Sequence, residues 1–224
     1  MDCKGLLAIV DNDPMVLRLL RSELRKALPQ CPVIWTEENG TLAVARTQNP
    51  ATCPDLLLLD MSLAGIQGPT VCRQIRISGS KPAVLAITSF SLSYYAERIA
   101  DAGAQGIIAK HASMQDIARA ITDILDPNIG HYANTEVDVP FETAAAAHAR
   151  VKLAKPSGLA LLTPAESQVV DMAAHGESSQ RIAATLGKSK GTVDTLFRRA
   201  IDKTKSNGRL DLILAWLRER GGEQ

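Results

Sequence analysis

Four polar residues stand where short apolar runs end. Asp11 follows Leu6–Val10, Asp60 follows Leu56–Leu59, Thr88 closes Ala83–Thr88, and Lys110 follows Gly106–Ala109. Two carboxylates, a hydroxyl and an ammonium have a definite chemistry if one crevice collects them. Converging carboxylates repel each other unless a cation joins them, and hard oxygen donors suit Mg²⁺. A carboxylate beside such a metal can attack phosphorus, while a lysine neutralises the phosphoryl oxygens and a hydroxyl donates to them. Singly, each residue has a plain explanation: a strand-ending acid, a β-forming threonine, a solvated lysine. In series, at successive strand ends, they argue for one site. A second set lies towards the other end, where Arg181, Lys188, Lys190, Arg198, Arg199, Lys203, Lys205 and Arg209 face only Asp194 and Asp202. The whole chain carries a net charge of +1, but such a local excess can sit over phosphates.

The elements that must position these residues follow from periodicity. Leu6–Val10, Val33–Trp35, Leu56–Leu59, Ala83–Thr88 and Gly106–Ala109 read as strands, and Met15–Leu28, Thr41–Thr47, Thr70–Ile77, Ser93–Ala102 and Met114–Leu125 as helices. Alternation of this kind implies an α/β fold with a doubly wound five-stranded parallel sheet, whose ligands bind outside the carboxyl ends of its strands. After Asp126-Pro127 the pattern breaks, and residues 127–157 read as a linker with a short helix at Phe141–Lys152. From Leu162 the pattern is helical. Thr163-Pro164-Ala165-Glu166 makes a capping box, Gly176 and Gly187 end helices, and Ser178 and Ser189 cap the next two, the second running to about Thr204. A fourth helix near Asn207 spaces Leu210, Ile213, Leu214 and Leu217 for one stripe. The expected organisation is a first domain at 1–126, a linker at 127–157, and a small all-α four-helix domain at 158–224.

At 224 residues, 46% apolar and 22% charged, the chain suits two soluble domains. Cys3, Cys31, Cys53 and Cys72 have no metal-ligand or disulfide spacing. No apolar stretch is long enough to span a bilayer and no cleavage pattern follows the N-terminus, so a cytoplasmic location is expected.

Val10-Asp11-Asn12-Asp13-Pro14, Leu59-Asp60-Met61, Ile87-Thr88-Ser89 and Ala109-Lys110-His111 resemble the receiver-domain signature over about residues 5–125. The resemblance implies a flavodoxin-like sheet and a phosphoacceptor at Asp60. It also implies Mg²⁺ on Asp11, Asn12, Asp60 and the Ser62 carbonyl, with Thr88 and Lys110 on the phosphoryl group. Two residues depart from the pattern. Asn12 replaces a second acid and brings no charge, and Asp13 is better placed as a helix N-cap than as its substitute. Ile107 stands where receivers commonly carry a switch aromatic. Asp11-x-Asp13 is also similar to the opening motif of haloacid-dehalogenase-type phosphatases, but Met15 stands where that motif wants Thr or Val, and the later acidic pair is missing after Thr88-Ser89-Phe90-Ser91. No enzyme activity is expected.

Leu162-Thr163-Pro164, Glu166, Gly176, Ile182-Ala183, Leu186-Gly187, Ser189 and Thr192-Val193 resemble the LuxR-type helix-turn-helix, and the whole chain is similar to response regulators of the NarL/FixJ class. By position Asp194, Thr195 and Arg198 would read bases, while Lys188, Lys190, Arg199 and Lys203 would hold phosphates around Thr192. Asp194 could accept from cytosine N4 or pair with Lys190 and Arg198; the pair is preferred here. The fourth helix would dimerise in the family, though its leucines could instead seal the core and leave Trp216 for an interface. The implied mechanism is a population shift. A sensor histidine kinase or small phosphodonor phosphorylates Asp60, the face of the fourth and fifth strand-helix units rearranges, and a homodimer binds double-stranded DNA. The rivals are a phosphorylation-independent DNA-binding regulator, the phosphatase, and a pure protein-interaction adaptor.

Overall fold

Short runs that are apolar at every position suit strands with both faces covered. The computed structural model describes residues 4–63, 66–154 and 158–220, and the chain divides into two units, Met1–Lys155 and Pro156–Gln224. In the first, β1 (Leu7–Val10), β2 (Val33–Glu37), β3 (Leu56–Asp60), β4 (Ala83–Thr88) and β5 (Gly106–Ala109) form a parallel sheet ordered β2-β1-β3-β4-β5. The helices are α1 (Pro14–Ala27), α2 (Gly40–Gln48), α3 (Gly68–Ser78), α4 (Leu92–Ala102) and α5 (Met114–Leu125). The two-residue period of a strand sorts the core. Leu57 and Leu59 pack with Val71, Ile75 and Ile99 of α3 and α4, whereas Leu56 and Leu58 pack with Leu20, Leu24 and Ile121 of α1 and α5. All four leucines are fully buried.

Caps fix where these helices begin and end. Asp13 Oδ1 accepts from the Met15 N–H at 2.7 Å, so Asp13 is the N-cap of α1. Gly103 ends α4 with φ 96, and a Cβ there would lie 2.5 Å from Arg76 Cγ, so both conformation and space demand glycine. Arg76 itself is fully buried, without an acidic partner among the described residues. Its guanidinium donates to the carbonyls of Gly103, Gly79 and Pro82 and reaches Gln105 Oε1. Burial pulls its pKa down, and this shell of oxygens is what keeps a charge tolerable there.

The segment expected as a linker is instead docked on the first unit. Residues 131–143 run along the sheet, Phe141 enters the core, and α6 (Ala144–Leu153) packs on α3 through Ala147 and Val151. The cause is an extended alternation, Val137, Val139, Phe141, whose apolar members face the core while Asp138 and Pro140 are exposed. Residues 155–157, the end of the expected linker, lie outside the described residues, as does Cys3.

In the second unit a 3-10 turn (Gly158–Leu161) precedes α7 (Pro164–Ala174), α8 (Ser179–Thr185), α9 (Lys190–Thr204) and α10 (Arg209–Arg220). The capping box forms, with Thr163 Oγ1 accepting from the Glu166 N–H and Glu166 Oε2 from the Thr163 N–H. The α10 stripe is corrected. Leu212 and Trp216 are the buried pair, Trp216 Nε1 donating to Asp171 at 3.1 Å, while Leu210, Leu214 and Leu217 are 70%, 41% and 39% exposed. A bulky indole whose N–H finds a buried acceptor wins the inward face over leucines that need none. Among the described residues no helix is long and apolar enough to cross a membrane.

Arg76→Ala would strip donors from a shell of buried carbonyls. It is expected to lower the unfolding free energy of the first unit by about 2–4 kcal/mol, read as a drop in urea midpoint without loss of helix content.

Candidate functional site

The register of the sheet assembles the first site. Val10 lies beside Leu59, so Asp11 and Asp60 leave adjacent strands side by side, and Thr88 pairs with Ala109, which sets Lys110 just beyond. Asp11, Asp60 and Thr88 are buried, at 0%, 1% and 0% exposure. The Lys110 ammonium lies 2.6 Å from Asp11 Oδ2 and 3.0 Å from Asp60 Oδ1. Thr88 Oγ1 accepts from the Phe90 N–H at 3.1 Å, and Asp11 Oδ1 from the Asp13 N–H at 3.0 Å. Asn12 is exposed and Ser62 half-buried at the mouth.

Burial pushes the Asp60 carboxyl above its ordinary value; Lys110 pulls it back, and the neighbouring Asp11 charge pushes it up again. For Lys110, burial opposes the charge, but the bonds and attraction of both aspartates outweigh it and hold the ammonium above its usual range. One cation therefore serves two dry carboxylates. Asp11 Oδ2 and both Asp60 oxygens are shielded from water, and Asp11 Oδ2 and Asp60 Oδ1 share the single Lys110 ammonium. Buried anionic oxygens that outnumber their counter-charge in this way fit a further cation. Among the described residues no three acidic, His or Cys side chains gather, so such a cation would rely on two carboxylates and neutral oxygens.

The second site is the exposed face of α9. Val193, Phe197 and Ala200 are buried beneath it, and Lys188, Lys190, Thr192, Asp194, Arg198 and Arg199 are exposed. Ser189 caps α9 by accepting from the Thr192 N–H at 3.0 Å, and its hydroxyl meets that of Thr192. Thr195 donates its hydroxyl to Gly191 O, leaving a methyl and an acceptor for outside contacts. Two expectations fail here. Lys203 binds Glu166 at 2.7 Å and so ties α9 to the start of α7 instead of reaching out for phosphate. Among the described residues Asp194 forms no ion pair with Lys190 or Arg198: on an exposed helix face each side chain is better hydrated than paired. Arg209, counted as part of the basic stretch, is also committed, 3.9 Å over the Phe197 ring and donating to Ser179 Oγ.

Sequence reasoning missed Arg150, whose guanidinium donates to Ala100 O and Asp101 O at the end of α4, and His148, bonded to Arg76 O. Their one signal was the Val137–Phe141 alternation, which marks the preceding segment as half-buried.

Residues 7–122 match the family described as response regulator receiver domain, and residues 160–215 match bacterial regulatory proteins of the luxR family. The chain is 25% identical to the nitrate/nitrite response regulator protein NarL of Escherichia coli (strain K12) over 211 residues, 92% of this chain and 91% of that one. It is 23% identical to the transcriptional regulatory protein DesR of Bacillus subtilis (strain 168) over 160 residues, 71% of each. Its fold is similar to that of the Salmonella typhimurium RcsB response regulator, with TM-score 0.52, 20% identity, and coverage of 96% of this chain and 98% of that one.

Glu166 supplies a pH test of the second unit. Burial alone would raise its pKa, but the bonds from Lys203 and Thr163 outweigh burial and hold it below the ordinary carboxylate value. A depressed carboxyl stabilises the fold above its unfolded pKa and loses that contribution as pH falls through the folded one. In a Trp35→Phe background, where Trp216 reports, Glu166→Gln should flatten the decline of thermal stability below about pH 4.5.

Proposed function

The chain belongs to the response regulator receiver family, with a luxR-family domain behind the receiver, and from that premise we propose that Asp60 is the phosphoacceptor controlling DNA binding by α9. The observation that carries this reading is the buried pair Asp11–Asp60 bridged by Lys110 at the strand ends. In the proposed step an Asp60 carboxylate oxygen attacks the phosphorus of a phosphohistidine on a sensor kinase, or of a small acyl phosphate. The new bond is an acyl phosphate on Asp60, and the leaving nitrogen or carboxylate keeps the pair of the broken bond. Lys110 sits where it can hold the added phosphoryl charge, and the Thr88 hydroxyl, whose oxygen accepts from the Phe90 N–H, keeps its own proton to donate to a phosphoryl oxygen. Asp11, Asp60, the Asn12 amide and the Ser62 carbonyl are the oxygens that would hold Mg²⁺. When bound, the ion supplies charge neutralisation for phosphoryl oxygens. Asn12 in place of an acid lowers the affinity of that set without removing an oxygen. The chain's own task is that of a switch, with one phosphoryl group stored, and no turnover enzyme is proposed.

For DNA, Lys188, Lys190 and Arg199 would hold phosphates, and Asp194, Thr195 and Arg198 would meet base edges in the major groove. The active form proposed is a homodimer, and the exposed Leu210, Leu214 and Leu217 of α10 are the apolar surface available to it.

Intact mass after incubation with acetyl phosphate tests the switch. One phosphoryl adduct is expected with Mg²⁺, none without it, and none in Asp60→Asn; a folded protein that takes up no phosphoryl group favours a phosphorylation-independent regulator. Titration of sheared duplex DNA against salt tests the interface. Lys190→Gln should flatten the slope of log K against log salt by about 0.9, whereas Lys203→Gln should leave the slope unchanged. On a duplex selected by the wild type, Arg198→Ala should cost about 1–3 kcal/mol and relax the preference at one position.

A further inference from the structure

The open edge of a sheet carries backbone groups that need partners. Here the β5 edge finds them in the segment that follows α5. The Tyr132 N–H donates to Gln105 O at 2.8 Å, and Asn134 Nδ2 donates to Ile107 O at 2.9 Å. Gly106 lets the two chains approach, since a Cβ there would lie 2.9 Å from Tyr132 Cβ. Further along, Val137, Val139 and Phe141 pack into the core on the α3–α4 face, and α6 lies on α3 with His148 Nδ1 2.6 Å from Arg76 O. Arg150 then closes the segment onto α4. Its Nη2 donates to Ala100 O at 2.8 Å and its Nη1 to Asp101 O at 3.1 Å, while Nε pairs with Glu142 at 2.8 Å. Those carbonyls are the negative end of the α4 dipole, where a guanidinium is favoured.

The other end of α4 begins at Thr88. Phe90, whose N–H is held by Thr88 Oγ1, lies two residues before the start of α4, and its ring packs 6.5 Å from that of Tyr95, which meets Tyr94 edge-on at 4.9 Å. A helix of 11 residues is a rod about 16 Å long. A displacement at its start is carried to its end, since packed elements shift as units. Ile107 gives β5 no aromatic ring to move, and its carbonyl is engaged by Asn134.

We propose that residues 131–153 form a strap, latched by Arg150 onto the C-terminus of α4, which phosphorylation of Asp60 loosens. This rests on the phosphoacceptor reading. When the Thr88 side chain swings towards a phosphoryl oxygen to donate its proton, its Oγ1 is drawn away from the Phe90 N–H, the start of α4 shifts, and the carbonyls of Ala100 and Asp101 move away from Arg150. Release of the strap frees 131–153 as additional chain between the receiver and the helix-turn-helix, and the length of free chain sets how far a linked domain can reach.

Amide hydrogen exchange on the full chain, with intact mass read on the same samples, decides it. With acetyl phosphate and Mg²⁺, wild-type peptides spanning 132–153 should exchange about tenfold faster, while β1, β3 and β4 stay protected. Without donor, Arg150→Ala should already show that faster exchange and still form the adduct in full yield. Arg150→Lys, which keeps the charge but not the two-carbonyl fork, should fall between the two. An adduct with unchanged exchange overturns the coupling alone. Strap protection in Arg150→Ala equal to wild type overturns the latch. Failure to form any adduct overturns the phosphoacceptor reading and the coupling with it.

Discussion

One ammonium shared between two buried carboxylates sets the terms for the first unit. Lys110 neutralises half of the negative charge of Asp11 and Asp60, in a cleft dry enough that the remainder is costly. Such a site is stable only if the strands that carry it are held in register, because a shift of one residue would turn a carboxylate to the opposite face. The β1–β3 and β3–β4 pairings supply that register from the interior of the sheet. Lys110 has weaker support. It follows the last residue of β5, a strand with a sheet partner on one side only. The hydrogen bonds from Tyr132 and Asn134 to β5 therefore do more than cover an edge: they steady the strand whose end carries the counter-charge.

That dependence changes how the departures from the receiver pattern read. Asn12 brings no charge to the proposed cation site, so neutralisation at Asp60 would lean harder on Lys110. Ile107 removes a ring that could have swung, and the same residue offers its carbonyl to the strap. Both substitutions place more weight on the position of β5 and on α4, the two elements the strap touches through Asn134 and Arg150.

The strands and helices of the first unit were legible because burial on two faces leaves a run such as Leu56–Leu59 no polar position, and because α1, α2 and α5 start on capping side chains, Asp13, Asn39 and Ser113. The four strand-end residues were legible for the same reason: once the strands are placed, parallel register brings their ends together. Residues 131–153 were obscured by Pro127, Pro140 and Pro156 and by an alanine-rich helix with no clear apolar face, where only Ala147 and Val151 are buried. Arg76 and Gln105 could not be read as core, since a single polar residue in an apolar stretch resembles a solvated one until its carbonyl shell is seen. The leucines of α10 misled because that helix offers apolar residues on more than one side, and indole volume and its N–H acceptor chose between them.

Charge in the second unit shows how a count of basic residues overstates an interface. The capping box buries the carboxylate of Glu166, and a buried carboxylate without a cation would be worse than no cap at all. Lys203 supplies the cation from the inner side of α9, and Arg209 spends its guanidinium on Phe197 and Ser179. Both fix the tilt of α9 against its neighbours, and neither remains to meet a phosphate. What faces outward is a smaller basic set that includes Asp202, exposed further along the helix, and a second acid, Asp194, with no ion pair to Lys190 or Arg198 among the described residues. An ionised carboxylate there repels phosphate and can only accept hydrogen bonds, so it is out of place over a backbone. In the DNA contact proposed for α9, the group it would suit is an amino group such as cytosine N4, which would give the helix a selective element amid residues that mostly orient it.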